Sequence, residues 1–179
     1  MTRRAEHALF PGSFDPVTLG HVDLVERAIT LFGRVSILVA HNAAKPGFFT
    51  VEERAQLLEQ SLAHLSAVTV RVWPGLVVDA AHELGCDVLV RGVRSGTDFD
   101  FEVAMARTNR ALAPRLDTVL LATSPAFAHV SSSFVREIEL AGGDASIFVP
   151  KPVALALQAR RGSKTSTEKS IPKPRRDSR

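Results

Sequence analysis

The chain of 179 residues has one cysteine, one tryptophan and no tyrosine. A single Cys86 cannot close an internal disulfide, which excludes a disulfide-stapled scaffold and fits a reducing, cytoplasmic setting. It opens an apolar stretch, where a structural thiol is expected rather than a nucleophile. No apolar run reaches the roughly 18 residues that a membrane span requires, so no membrane association is expected. The opening Met-Thr-Arg-Arg-Ala-Glu-His is not followed by an apolar segment with a small-residue cleavage site, so no signal peptide is expected. The body also lacks an excess of positive charge. Residues 160–179 hold eight Lys/Arg and two acids, a net of +6, whereas residues 1–159 hold fourteen Lys/Arg and seventeen acids, a net of −3. A nucleic-acid binder carries its basic patch on the folded part, so no nucleic acid is expected as a partner.

What is present is an α/β pattern with 45% apolar residues, enough for one domain with a proper core. Strands are expected at about 7–11, 35–40, 68–73, 87–90 and 118–123. Helices alternate with them at about 20–32, after Thr50, 76–84 and 98–113, then at about 132–141, with a last short one after Pro150 or Pro152 to about Arg160. Thr50-Val-Glu-Glu53 reads as a capping box. Five strands alternating with helices predict a Rossmann-like parallel five-stranded sheet with helices on both faces. The domain is expected to span 1–161. From Gly162 the composition turns to Ser, Thr, Lys, Arg and Pro, and 162–179 is expected to be a disordered basic tail.

The stretch Phe10-Pro-Gly-Ser-Phe-Asp-Pro-Val-Thr-Leu-Gly-His21 joins the first strand to the first helix. It has neither the lysine of a Walker loop nor the three glycines of a dinucleotide fingerprint. It offers an imidazole instead, at a helix start whose free N–H groups and dipole suit phosphate. In such folds ligands bind at the carboxyl ends of strands. Four clusters fall there: Ser13 with His21, Lys45, Arg91 to Arg94, and Ser131 to Ser133. Arginine presents a planar fork of donors, lysine a point charge, and serine a hydroxyl beside helix amides. Each has a plainer reading. Lys45 sits in a Pro/Gly loop and suits a solvated charge, Arg91 and Arg94 have Asp98, Asp100 and Glu102 nearby, and the serines suit N-caps. Their recurrence at one edge favours a site for more than one phosphorylated group.

Pro11 to His21, Phe49-Thr-Val-Glu-Glu-Arg54, Arg91-Gly-Val-Arg94 and Ser131-Ser-Ser-Phe-Val-Arg-Glu137 together resemble the bacterial phosphopantetheine adenylyltransferases, in order and spacing over about residues 7–160. The first motif marks the wider nucleotidyltransferase superfamily. The arginine pair and the triple serine narrow the resemblance to this member. It implies transfer of the adenylyl group of ATP to 4′-phosphopantetheine, giving dephospho-coenzyme A and pyrophosphate, a step of coenzyme A synthesis. It implies His21 as transition-state stabiliser and Ser13 in contact with both substrates. It puts Lys45, Val77 and Arg91 on the phosphopantetheine side, and Phe14, Gly92, Val93, Arg94 and Glu102 on the ATP side. The loop Phe127, Ala128, His129, Val130, Ser131, Ser132 and Ser133 joins the ATP side. It further implies Mg²⁺, bound mainly through ATP phosphates with no dedicated protein metal site, and a homohexamer. Phe101 stands where tyrosine is frequent in the family and receives no polar role.

The physical requirement agrees. The nucleophile is a phosphate oxygen, so the site must align two mutually repelling anions and stabilise charge at the α-phosphorus, which calls for positioning and fixed donors. Two other readings stay open at this stage: a related nucleotidyltransferase with another phosphorylated acceptor, and a non-catalytic nucleotide-binding protein.

Overall fold

The central strand β1 (His7–Gly12) alternates its side chains between two layers: Ala8 and Phe10 face one, Leu9 the other. The computed structural model describes residues 5–40 and 47–168. In it β1 is flanked by β2 (Arg34–Ala40) and β4 (Val88–Val93), with β3 (Val68–Trp73) and β5 (Asp117–Ala122) outside them. All pairs are parallel, in the order β3-β2-β1-β4-β5. The chain leaves β1 toward β2 on one side and returns to β4 on the other. The crevice between β1 and β4 is therefore the point where strand order reverses, the place open α/β sheets use for ligands.

The first layer seats α1 (Leu19–Phe32), α2 (Val51–Ser61) and α6 (Lys151–Glu168). Val25, Leu58 and Leu157 bring fully buried side chains to it, together with Val135 of α5 (Ser132–Leu140). Each such burial stabilises by about 1.5–3 kcal/mol relative to exposure. The second layer seats α3 (Val77–Glu83) over Leu9, Leu38 and Leu89, and α4 (Gly96–Leu112) lies against β4, β5 and α3. Helices thus cover both faces, as the alternating pattern predicts.

Boundaries follow local chemistry. Gly33, at φ 76°, ends α1 in a conformation that side chains resist. The Thr50 and Glu53 capping box forms, with the Glu53 N–H 3.2 Å from Thr50 Oγ1 and the Thr50 N–H 2.7 Å from Glu53 Oε2. Two elements differ from expectation. β4 does not stop at Val90 but runs through Val93, because Arg91, Gly92 and Val93 pair with Leu120, Leu121 and Ala122 of β5. Gly92 is required there, since a Cβ would lie 2.4 Å from Leu24 Cδ1 of α1. α6 continues past its expected end near Arg160, through Glu168, anchored by buried Val153 and Leu157. The rest of the tail lies outside the described residues.

Candidate active site

β1 delivers the chain into the loop 13–18, and four of the surrounding carbonyls are taken by side chains from other elements. Arg91 of β4 donates to Pro11 O. Arg54 of α2 donates to Ser13 O at 2.8 Å. Arg136 of α5 donates to Asp15 O at 2.6 Å, and Ser132 to Pro16 O at 2.7 Å. The buried Asp15 carboxylate in turn accepts the Phe48 and Phe49 N–H groups at 2.7 and 2.8 Å. Charge-assisted bonds of this kind are about twice as strong as neutral ones. The loop is therefore fixed before any ligand arrives, which electrostatic catalysis requires.

Within that loop Phe14 adopts φ 46°, a left-handed conformation uncommon for a bulky residue. Its buried ring is clamped edge-on between Phe10 and His21, with centroids 5.7 and 5.1 Å away. Phe14 thus supports the imidazole from beneath. Thr18 is the N-cap of α1, and its backbone N–H donates to His21 Nδ1 at 3.1 Å. Its Oγ1 lies 2.9 Å from the same nitrogen. An amide N–H only donates, so Nδ1 is unprotonated and the proton of the neutral ring sits on Nε2. Burial first, then the positive Arg94 and Arg91, push the His21 pKa down to about 4. At neutral pH His21 is an uncharged imidazole with one N–H left to donate.

His21 lines a cavity of about 280 Å³ at the carboxyl edge of β1 and β4. Ser13, Phe14, His21, Arg91, Gly92, Arg94 and Glu102 line it, as do Val130, Ser131, Ser132 and Ser133. Residues from four separate segments are thus brought together. The plainer readings also hold in part. Arg91 makes a fork with Glu102, Nε to Oε2 at 2.7 Å and Nη2 to Oε1 at 2.6 Å. Glu102 is the one buried residue of α4, so it holds Arg91. Arg94 pairs with Asp98 at 2.9 Å, and that guanidinium is the chief cause of the lowered Asp98 pKa. Ser131 caps α5, accepting the Phe134 N–H at 3.1 Å.

Five expected residues fall outside the lining. Val93 is a strand residue, and Val77 opens α3 beside the second layer. Phe127 ends a short 3-10 turn and packs over Gly20, its Cβ 3.4 Å from where a Gly20 Cβ would be. Ala128 follows it. His129 lies edge-on to Phe148, with centroids 5.9 Å apart, in a separate apolar cavity of about 180 Å³. Lys45 lies outside the described residues. Sequence reasoning gave no role to Asp15, Arg54 or Arg136, although all three lie inside motifs that carry the resemblance; their partners are up to 121 positions away in the chain.

The cytidylyltransferase-like family pattern matches residues 9–138. Among the relatives, a phosphopantetheine adenylyltransferase of Herpetosiphon aurantiacus is 49% identical over 151 residues, covering 84% of this chain and 92% of its own. Those of Levilactobacillus brevis and Gloeobacter violaceus are each 46% identical over 153 residues, covering 86% of this chain and 95% of theirs. The chain belongs to the phosphopantetheine adenylyltransferases. No helix among the described residues is long and apolar enough to cross a membrane.

Proposed function

We propose that the protein transfers the adenylyl group of ATP to 4′-phosphopantetheine, forming dephospho-coenzyme A and pyrophosphate, with His21 acting on the transition state. An oxygen of the acceptor phosphate attacks the α-phosphorus. The bond from that phosphorus to the α–β bridging oxygen breaks, and pyrophosphate leaves with that oxygen. The nucleophile is already ionised, so no base is needed. The observation that carries this reading is the single remaining N–H of a neutral His21, fixed by Thr18 and supported by Phe14. It can donate to an α-phosphate oxygen as charge builds there, and as an uncharged group it does so without a proton transfer.

Arg91 engages Pro11 and Glu102 through three of its five N–H donors and keeps two for the acceptor phosphate. Lys45 and Val77 join the acceptor side through the family resemblance. Ser13 lies between the two substrates. Arg94 and Gly92 serve the nucleotide with Ser131, Ser132 and Ser133, while Phe127 to Val130 and Val93 shape that side. The two cavity carboxylates, Asp98 and Glu102, are both engaged by guanidinium groups, and no cluster of three or more metal-binding side chains occurs among the described residues. A protein cage for Mg²⁺ does not fit this donor set. We assign the ion to the nucleotide, which arrives as its magnesium complex with the metal held by phosphates and water.

Self-association is supported by α4, where Phe99, Phe101, Met105 and Leu112 are exposed and Glu102 alone is buried, and the family resemblance makes the assembly a homohexamer. A cytoplasmic setting is supported by the single cysteine, Cys86, which has no second cysteine in this sequence to pair with. The test is pyrophosphate release from ATP with a panel of phosphorylated acceptors. Turnover with 4′-phosphopantetheine well above nicotinate mononucleotide and other phosphates is expected. Equal use of all acceptors, or none, contradicts the assignment.

A further inference from the structure

The segment between Gly47 and Thr50 is gripped twice, once at its N–H groups and once at its rings. The buried Asp15 carboxylate accepts the Phe48 and Phe49 N–H groups at 2.7 and 2.8 Å. Arg160 of α6 lays its guanidinium over both rings, its Cζ 5.2 Å from the Phe48 centroid and 4.5 Å from that of Phe49. The same guanidinium donates to Phe48 O and, at 3.0 and 3.3 Å, to the Glu53 carboxylate of the α2 capping box. A cation over one exposed ring is a weak contact. Over two consecutive rings, with the peptide oxygen between them also taken, it fixes side chains and backbone together. The segment has no slack, since a Cβ on Gly47 would lie 2.6 Å from Phe49 O and 3.3 Å from Asp15 Oδ2.

We propose that Arg160 is a positioning residue for the reaction, acting from the last helix through Phe48, Phe49 and Asp15 on the loop that holds His21. The inference rests on the adenylyl-transfer reading and adds to it a residue outside the cavity. The path is a series of direct contacts. Arg160 fixes the peptide between Phe48 and Phe49, and the N–H groups of these residues fix the Asp15 carboxylate. Asp15 follows Phe14, whose ring meets the His21 ring edge-on with centroids 5.1 Å apart. Three residues further on, the Thr18 N–H holds His21 Nδ1 at 3.1 Å. A donor aimed at developing charge loses its value steeply with displacement, and about 1 Å of misplacement can cost on the order of 100-fold in rate. Arg161, the next residue of the same helix, supplies the contrast. It also reaches carboxylates, Glu139 and Asp144 at 3.0 Å each, but these lie at the end of α5 and in the turn after it.

The test compares Arg160→Met and Arg161→Met with the parent, all as full-length protein. Amide hydrogen exchange is measured without substrates, and pyrophosphate release with ATP and 4′-phosphopantetheine. In Arg160→Met the Phe49 N–H should exchange about 10-fold faster, and so should the Thr18 N–H, whose acceptor is His21. Its kcat should fall about 5- to 50-fold, with the KM for ATP within about three-fold of the parent. In Arg161→Met the Thr18 exchange and the kcat should stay within about two-fold, although this variant strips the buried Glu139 of its cation and should unfold at least as easily. Arg160→Lys keeps a cation for the rings but loses the fork that joins Phe48 O to Glu53, so it should fall between the parent and Arg160→Met. If Arg160→Met does not fold, Arg160→Lys replaces it, with an expected kcat about two- to five-fold below the parent. Unchanged Thr18 exchange or unchanged kcat in the Arg160 variant, or equal losses in Arg161→Met, overturns the proposal. The exchange arm needs no substrate. Faster Thr18 exchange in the variant of a protein whose parent does not use phosphopantetheine would overturn the acceptor assignment alone, and normal parent turnover with unchanged Thr18 exchange would overturn Arg160 alone.

Discussion

The two ends of β1 each hold a half-enclosed or buried imidazole, and only one of them lines the cavity. At the amino end, His7 Nε2 lies 2.8 Å from Ser36 Oγ, which continues to Thr69 Oγ1 at 2.9 Å. Cys86 Sγ lies 3.6 Å from the same nitrogen, and Asp87 accepts the His7 backbone N–H at 3.1 Å. Burial lowers the His7 pKa, with Arg34 adding to it. At the carboxyl end, burial lowers His21 in the same direction, yet Thr18 occupies its Nδ1 and the residue lines a cavity together with arginines and serines. A lowered pKa therefore does not separate a structural histidine from a functional one. The open hydrogen-bonding direction and the positive surroundings do.

The largest effect that tests this contrast comes from removing each ring. His21→Ala should cost on the order of 100- to 1,000-fold in turnover, the usual loss for one preorganised donor, with ATP affinity within a few-fold of the parent. His7→Ala should leave turnover near the parent and cost about 1–3 kcal/mol of stability, because it removes a buried side chain and its hydrogen bond to Ser36, which keeps only Thr69. Steady-state kinetics with urea unfolding on both variants would distinguish them; turnover loss of similar size in both would erase the contrast.

Next in size is the frame of the carboxyl end. Asp15→Ala deprives two N–H groups, one of them on buried Phe49, of their acceptor, and should cost about 2–4 kcal/mol in urea unfolding. Turnover should fall with it, since the same residue's backbone anchors Arg136. A stable variant with normal turnover would show that the loop does not need this tether.

Acid sharpens the comparison further. Above the ordinary histidine pKa of 6.5 neither folded nor unfolded chain binds the His21 proton. As pH falls below 6.5 the unfolded chain takes it up, while the folded protein refuses it until about 4, so stability is lost across that window. The slope is bounded by about 1.4 kcal/mol per pH unit for each imidazole. His7, also lowered, adds in the same direction. Unfolding free energies measured from about pH 7 to about pH 5 should therefore fall, and His21→Gln should flatten part of that fall. A flat profile in the parent would contradict both shifts. The smallest effect is expected far from either end. The last described side chains gripping the body are Arg160, on Glu53 and Phe48 O, and Arg161, on Glu139 and Asp144. Truncation after Gly162 should leave the melting temperature and turnover nearly unchanged, as differential scanning calorimetry and a turnover assay would register.

Much of this was legible in the sequence because it is local. Apolar runs marked the strands, the Thr50 to Glu53 spacing marked a helix start, and strand ends marked the cavity edge. Helix α1 and the Thr18 to His21 segment follow from four consecutive residues. Illegible was whatever depends on pairing at a distance. Nothing near Arg91 reveals that β5 prolongs its strand or that Glu102 takes its fork in preference to Asp98. Nothing near Arg136 reveals that its contact is the Asp15 carbonyl. The protonation of His21 needed the observed bond from the Thr18 N–H, since the same His in a turn that left Nδ1 free would carry either tautomer.

The central claim is that His21 meets the α-phosphate as a neutral ring with its proton on Nε2. Nitrogen-15 NMR of the histidine rings in the free enzyme tests it most directly. From about pH 8 down to about pH 5 the His21 ring should show one protonated nitrogen, Nε2, and a second, Nδ1, at the shift of an unprotonated acceptor, with no titration until nearer pH 4. A ring that titrates near its ordinary value of 6.5, or that carries its proton on Nδ1, would contradict the account.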